Sequence, residues 1–296
     1  MKYRSILLII TVFCSTYIMK AQTDSSGRGM TISEVYFHYG STFSGHKSIG
    51  FEDFKKLAPM SVLMAGDFSD FSYWSNTDGY NANVNMGLSL SPTVQNEKYD
   101  MKIRFDLSFV SQTPFTLILQ KTDRTTFDTL VSNSTGKKIP VDSIKNWTKT
   151  LSLETEQLEI NSSVIFSTSP LKRWSFYGGV GFFGAYTVYA QTRIENQYYA
   201  YTDPYIANNT YIETPFFYES EVFTNNSGYT FGGYIPVGLS FRVSKNQKFW
   251  ERMSIIYEMQ FGYQDLFISE LGNFSGAFTR QKFGLRFNTG KLPDVD

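Results

Sequence analysis

The sequence predicts an all-β protein, an eight-stranded antiparallel transmembrane β-barrel with long extracellular loops and short periplasmic turns. Three observations point there. Segments such as "MKIRFDLSFV" (101–110) alternate apolar and polar residues with a period of two, the repeat of a strand whose successive side chains face opposite ways. Aromatic residues make up 17% of the chain, with 27 Phe and 20 Tyr, yet mean hydropathy is only -0.24. No segment beyond the N-terminus approaches the ~20 apolar residues of a membrane helix. Finally, the linkers between alternating segments run long, short, long, short along the chain, the asymmetry of a barrel whose loops differ on the two sides of a membrane.

Taken in order, residues 1–21 read as a secretory signal peptide: Lys2 and Arg4, an apolar run from Ile6 to Phe13, and a polar stretch ending at Ala21. Its removal takes Lys2, Arg4, Lys20 and the single Cys14, so 27 basic and 27 acidic residues become 24 and 27. The mature chain is mildly acidic and free of thiols, which argues against nucleic acid as a partner and against a disulfide framework. The barrel is expected over 22–288 and a periplasmic tail over 289–296. Its strands begin with 31–39, followed by 80–91, where Ala82, Val84, Met86, Leu88 and Leu90 oppose Asn81, Asn83, Asn85, Gly87 and Ser89. Phe115, Leu117 and Leu119 share the odd parity of Met101 to Phe109, so 101–121 reads as one strand with one apolar face despite Pro114.

A fourth strand precedes the short link at 169–172, and 172–194 sets Trp174, Phe176, Val180, Phe182, Tyr186 and Val188 against Arg173, Ser175, Gly179, Gly181, Ala185 and Thr187. Tyr177, Phe183 and Tyr189 are the large members of that second face, and the glycines make room there. Strands at 229–244, 252–264 and 277–287 complete the eight. Long linkers fall at about 40–79, 122–149, 195–228 and, more modestly, 266–275. In this arrangement Phe105 faces lipid while Arg104 and Asp106 face the lumen.

"FYGGVGFFGAYTVYA" (176–190), "GGYIPVGLSFRVS" (232–244) and the terminal "QKFGLRF" (281–287) resemble strands of the small outer-membrane β-barrel proteins of Bacteroidota, with OmpA/OmpX-type barrel architecture. The resemblance implies integral residence in the bacterial outer membrane, contact with its lipid, and insertion by the barrel-assembly machinery. Gly284 and Phe287 resemble the terminal signal that machinery reads, although "NTGKLPDVD" continues past the aromatic. These are architectural motifs and specify no activity.

By parity the lumen receives Lys102, Arg104, Asp106, Glu159, Arg173, Arg242, Glu258, Arg280, Lys282 and Arg286. An eight-stranded barrel is wide enough only for its own side chains, so this set reads as an ion-paired plug. Bases outnumber acids, and Lys102, Arg104, Arg173, Arg242 and Arg286 fall near periplasmic strand ends, where they could latch Asp294 and Asp296 of the tail. In the third long linker Tyr198, Tyr199, Tyr201, Tyr205, Tyr211, Phe216, Phe217 and Tyr218 suit a sugar face or a protein partner, since aromatic rings bury large area with few rotatable bonds. The first long linker carries Phe51, Phe54 and Leu57 at helical spacing, a short amphipathic helix fit to cap the mouth. Catalysis has little to work with. Only His38 and His46 offer an imidazole, beside Ser41, Ser44 and Ser48, and a lipid hydrolase at the outer rim would have to use them. No metal spacing, cofactor motif or phosphate loop is present in the sequence. The reading is a non-enzymatic barrel acting in envelope structure or partner binding, with a narrow channel or accessory subunit as the further alternative.

Overall fold

The computed structural model describes residues 30–76, 81–92, 99–168, 173–203, 217–244 and 249–289. The signal segment, all of the tail but Thr289, and Tyr205, Tyr211 and Phe216 lie outside the described residues. The elements are β1 (Met30–His46), α1 (Phe51–Leu57), β2 (Ser72–Asn76), β3 (Asn81–Pro92), β4 (Tyr99–Val131), β5 (Lys138–Thr168), β6 (Trp174–Asp203), β7 (Phe217–Thr224), β8 (Tyr229–Arg242), β9 (Met253–Ile268) and β10 (Gly272–Asn288). Eight of the strands close a ring in the order β1-β3-β4-β5-β6-β8-β9-β10, with β10 returning to β1. Every pairing is antiparallel. β2 and β7 stand outside the ring, paired to the upper parts of β4 and β6.

The register fixes the barrel's dimensions. Followed from Trp174 through Phe241, Ile255, Leu285, Phe37, Met86, Leu107 and Ile160, the pairing returns to β6 at Gly184, displaced by ten residues. With ordinary strand spacings that stagger tilts the strands by about 41° and sets a backbone radius of about 8 Å. A hydrocarbon band crossed at this tilt takes roughly 10 residues per strand.

Polarity is inverted across that band. Phe105 is 43% exposed and Phe182 71%, whereas Arg104 and Asp106 are buried. Outward apolar side chains with a charged interior is the arrangement lipid requires and water forbids. Inside, each large aromatic lies over a glycine on the neighbouring strand: Tyr177 over Gly238, Tyr234 over Gly181, Phe183 over Gly232 and Phe278 over Gly262. A Cβ on Gly238 would sit 2.1 Å from the Tyr177 ring, so the crowded wall admits no side chain there.

Above the membrane the polarity inverts again. β4 carries 33 residues, β5 31 and β6 30, far more than a crossing needs, and the surplus continues as a five-stranded sheet β2-β4-β5-β6-β7. Much of what reads as loop at 122–149 and 195–228 is therefore strand, and the link near 266–275 is a turn of three residues between β9 and β10. The parity reading of Phe115, Leu117 and Leu119 is also corrected. A bulge between Gln112 and Phe115 swaps the faces of β4, because Thr113 and Pro114 are accommodated without ladder partners. All three apolar side chains turn inward and are buried. A matching bulge at Val188 in β6 turns Tyr189 outward rather than into the lumen and sends Ile194 inward. β5 needs no bulge: Glu159 and Asn161 face in below, Leu151 and Leu153 face in above. The upper tier is thus built like a soluble protein, with Phe54 and Leu57 of α1 packed on Phe115, Leu117, Leu151, Leu153, Ile194 and Leu266.

Candidate functional site

The membrane tier is filled by its own charges. At the periplasmic end Lys102 Nζ donates to Glu34 at 2.7 Å and lies 2.6 Å from Asp100, while Arg286 Nε is 3.4 Å from Glu34. Above them Arg104 grips Glu258 with both terminal nitrogens, one at 2.9 Å, and Glu258 also accepts from Tyr177 Oη at 2.9 Å and Gln260 Nε2 at 2.7 Å. Asp106 lies 3.7 Å from Arg104 Nε. Higher again, Arg280 is bidentate on Glu159 at 2.5 and 2.7 Å, its guanidinium 4.4 Å from the Phe183 ring centroid. Lys282 Nζ donates to Asn85 at 3.1 Å, and Asn85, Ser108 and Asn161 continue the chain of hydrogen bonds across the lumen. The Lys102–Glu34, Arg104–Glu258 and Arg280–Glu159 pairs avoid the several kcal/mol that an uncompensated buried ion would cost, whereas the Asp106 carboxyl oxygens accept no hydrogen bond and have Arg104 at 3.7 Å.

Of the ten charged side chains assigned to the lumen, Arg173 is the correction. It stands exposed at the lip just before β6, its guanidinium 4.8 Å from the Phe241 ring centroid. The other nine are turned into the barrel, Arg286 partly covered and the rest buried. Glu34 and Asp100 escaped the sequence reading, yet they balance Lys102 and Arg286. The signal for Glu34 was available, since Val35, Phe37 and Tyr39 mark the lipid face of β1 and leave Glu34, Tyr36 and His38 for the lumen. Lys102, Arg104 and Arg286, three of the five cations expected to hold the tail, are engaged with carboxylates of the barrel, and Asp294 and Asp296 lie outside the described residues.

The histidines are not at an outer rim. His38 is deep in the lumen against Tyr36, with ring centroids 4.9 Å apart, and His46 faces Gln264 Nε2 at 2.9 Å beneath the cap. Neither reaches lipid. Gly284 faces the lumen beside His38, and Phe287 packs near Phe249 with centroids 5.7 Å apart.

The mouth is closed by the cap. Glu221 on β7 accepts from Ser61 Oγ at 2.5 Å and from the backbone nitrogens of Val62 and Leu63, and Asn225 Nδ2 donates to the Leu57 carbonyl at 2.8 Å. Lys149 Nζ donates to the Leu63 carbonyl at 2.6 Å and lies over the Phe68 ring. Burial there pushes the Lys149 ammonium below its ordinary range, against the pull of Glu219 and Glu221.

Beyond the cap, the aromatic cluster belongs to a sheet. Tyr199 and Tyr201 stack on the outward face of β6, centroids 6.3 Å apart and planes 13° apart, and both are exposed. Tyr218 on β7 joins that face, its hydroxyl donating to Glu195 at 2.9 Å, and Phe217 beside it is exposed. Register places Asn146 beside Tyr199, and Thr148 beside Gln197. Tyr198 turns the other way, onto Trp147 at 5.2 Å. Among the described residues no group of His, Cys, Asp or Glu could hold a metal ion.

No family model matches the chain, and no curated protein matches it. Among solved structures, Neisserial surface protein A (NspA) covers 88% of this chain and 98% of its own at 10% identity, with a TM-score of 0.31. Ail, the attachment invasion locus protein of Yersinia pestis, covers 87% of this chain and 100% of its own at 10% identity and TM-score 0.26. The outer membrane protein OprG from Pseudomonas aeruginosa covers 89% and 99% at 8% identity and TM-score 0.27. At such scores the architecture rests on this chain's own register and exposure pattern.

Proposed function

We propose that the chain is a non-enzymatic integral outer-membrane barrel whose membrane tier is a sealed anchor and whose projecting sheet binds a glycan or protein partner outside the cell. One observation carries this reading: the exposed Tyr199, Tyr201 and Tyr218 share a water-facing surface with Asn146, Gln197 and Thr148. Tyrosine faces cover apolar sugar or side-chain surface, while amides and hydroxyls supply directional hydrogen bonds. A filled lumen leaves conduction little room, and histidines turned into that lumen do not favour a lipid hydrolase. Lipid of the outer membrane and the assembly machinery, through Gly284 and Phe287, are the remaining partners in this reading. The test is a double Tyr199→Ala, Tyr201→Ala variant displayed on cells and compared with wild type on a glycan array and against extracellular matrix proteins. Binding by wild type that falls at least tenfold in the variant, with equal surface display, supports the platform. Equal binding by both proteins, or none by wild type, removes it.

A further inference from the structure

At the periplasmic end of the barrel a recess is lined by Arg242, Arg252 and Arg286, with Arg173 at its lip, and by Glu34 and Glu251. Glu34 is shared between Lys102 Nζ at 2.7 Å and Arg286 Nε at 3.4 Å, so cations outnumber carboxylates around the recess. The floor is made of hydroxyls: Ser175 pairs with Ser240, and Ser254 lies between Arg242 on one side and Arg286 on the other. Since neighbouring strands run about 4.8 Å apart, Arg242 and Arg286 flank the small Ser254 from backbones about 10 Å apart, both turned inward. Arg286 Nη2 donates to Ser240 Oγ at 2.6 Å, which aims it along this floor. Arginines gathered at one level of a confined inner face repel one another. A row of them over hydroxyl donors forms a cradle for an anion with several oxygens, which planar guanidinium groups grip in pairs.

The depth of the recess says where that anion comes from. Trp174, Phe249 and Trp250 are exposed around its lip, and Trp174 packs on Phe241 at 4.6 Å. Aromatic girdles sit at headgroup level. Arg173, stacked over Phe241, stands in the same belt.

We propose that this recess is a phosphate-binding site at the inner face of the membrane, filled by a phospholipid headgroup or by free phosphate. The protein is first studied in a detergent that lacks phosphate. Inorganic phosphate, compared with chloride at equal ionic strength, should raise the unfolding midpoint of wild type by about 3 °C or more, and labelled phosphate should be retained. Arg242→Gln should lose at least tenfold in phosphate retention. Ser254→Asp, which puts a carboxylate between the two arginines, should raise the midpoint without phosphate and abolish the response to it. The second medium is a phosphatidylglycerol nanodisc: wild type that no longer retains labelled phosphate there carries a headgroup in the site, and retention that persists assigns it to free phosphate. If wild type retains no phosphate in detergent, or both variants respond as wild type does, the site does not exist.

Discussion

Glu258 has no freedom in the lumen: it is fully buried and held by Arg104, Tyr177 and Gln260 at once. Glu258→Ala would strand the Arg104 guanidinium without its counter-charge, a loss of about 3–5 kcal/mol, measured by chemical unfolding in micelles. Gly238→Ala reaches the same network by a different route, since the new methyl would displace the Tyr177 ring that donates to Glu258. Its expected cost is about 1–3 kcal/mol, and an unchanged midpoint would show that the ring has somewhere else to go. Much of this was legible from parity alone. Lys102, Arg104, Asp106, Glu258 and Lys282 lie where alternation places them. Phe115 was not legible, because Pro114 hosts a bulge whose sense depends on the neighbouring strand β5, and one extra residue turns every following side chain to the other face.

At the level of elements, the cap and the tall hairpin are the parts least secured by the ring. α1 has only seven residues and is too short to be helical alone. Phe54, which is fully buried, and Leu57 fasten it to the upper core. Phe54→Ala should cost about 3–5 kcal/mol of local stability, exposing residues 47–71 to protease while the membrane tier stays intact, as hydrogen exchange would register. The β4–β5 hairpin has its own acid-sensitive point near its tip. Hydrogen bonds from Thr126 and Arg124 hold the Asp142 carboxyl below its ordinary range. A lowered folded value means that its contribution is complete above the ordinary carboxylate range and is lost as pH falls through the lowered value. Amide exchange at 124–142 should therefore quicken on acidification, and Asp142→Asn should remove that pH dependence. Helical spacing in the sequence revealed α1. The strands inside the long linkers did not announce themselves, since the polar alternation of 122–149 belongs to a sheet with water on its outer face and lacks the oily stripe that marks a membrane strand.

For the whole molecule, two tiers of opposite polarity meet at the bulges of β4 and β6. Tryptophans sample both: Trp174 and Trp250 at the lower girdle, Trp147 in the projecting sheet. In single-tryptophan variants reconstituted with lipids brominated near the headgroup, Trp174 should be strongly quenched and Trp147 hardly at all. Equal quenching would mean that the membrane is drawn at the wrong height. Reconstituted wild type should also give no resolved conductance steps, because the Arg104–Glu258 and Arg280–Glu159 pairs fill an interior of about 8 Å backbone radius.

By itself the sequence determined that the chain forms a closed antiparallel barrel, which residues of the membrane tier meet lipid, and most of the charges that are shut inside. Period-two patterning is local, and lipid permits only one sense of it. Only the tertiary structure decided how far the wall rises above the membrane, where its faces exchange, and that Glu34, Ser254 and Tyr199 each stand beside partners from other strands. Those outcomes depend on register, which is settled between strands and is written in neither of them alone.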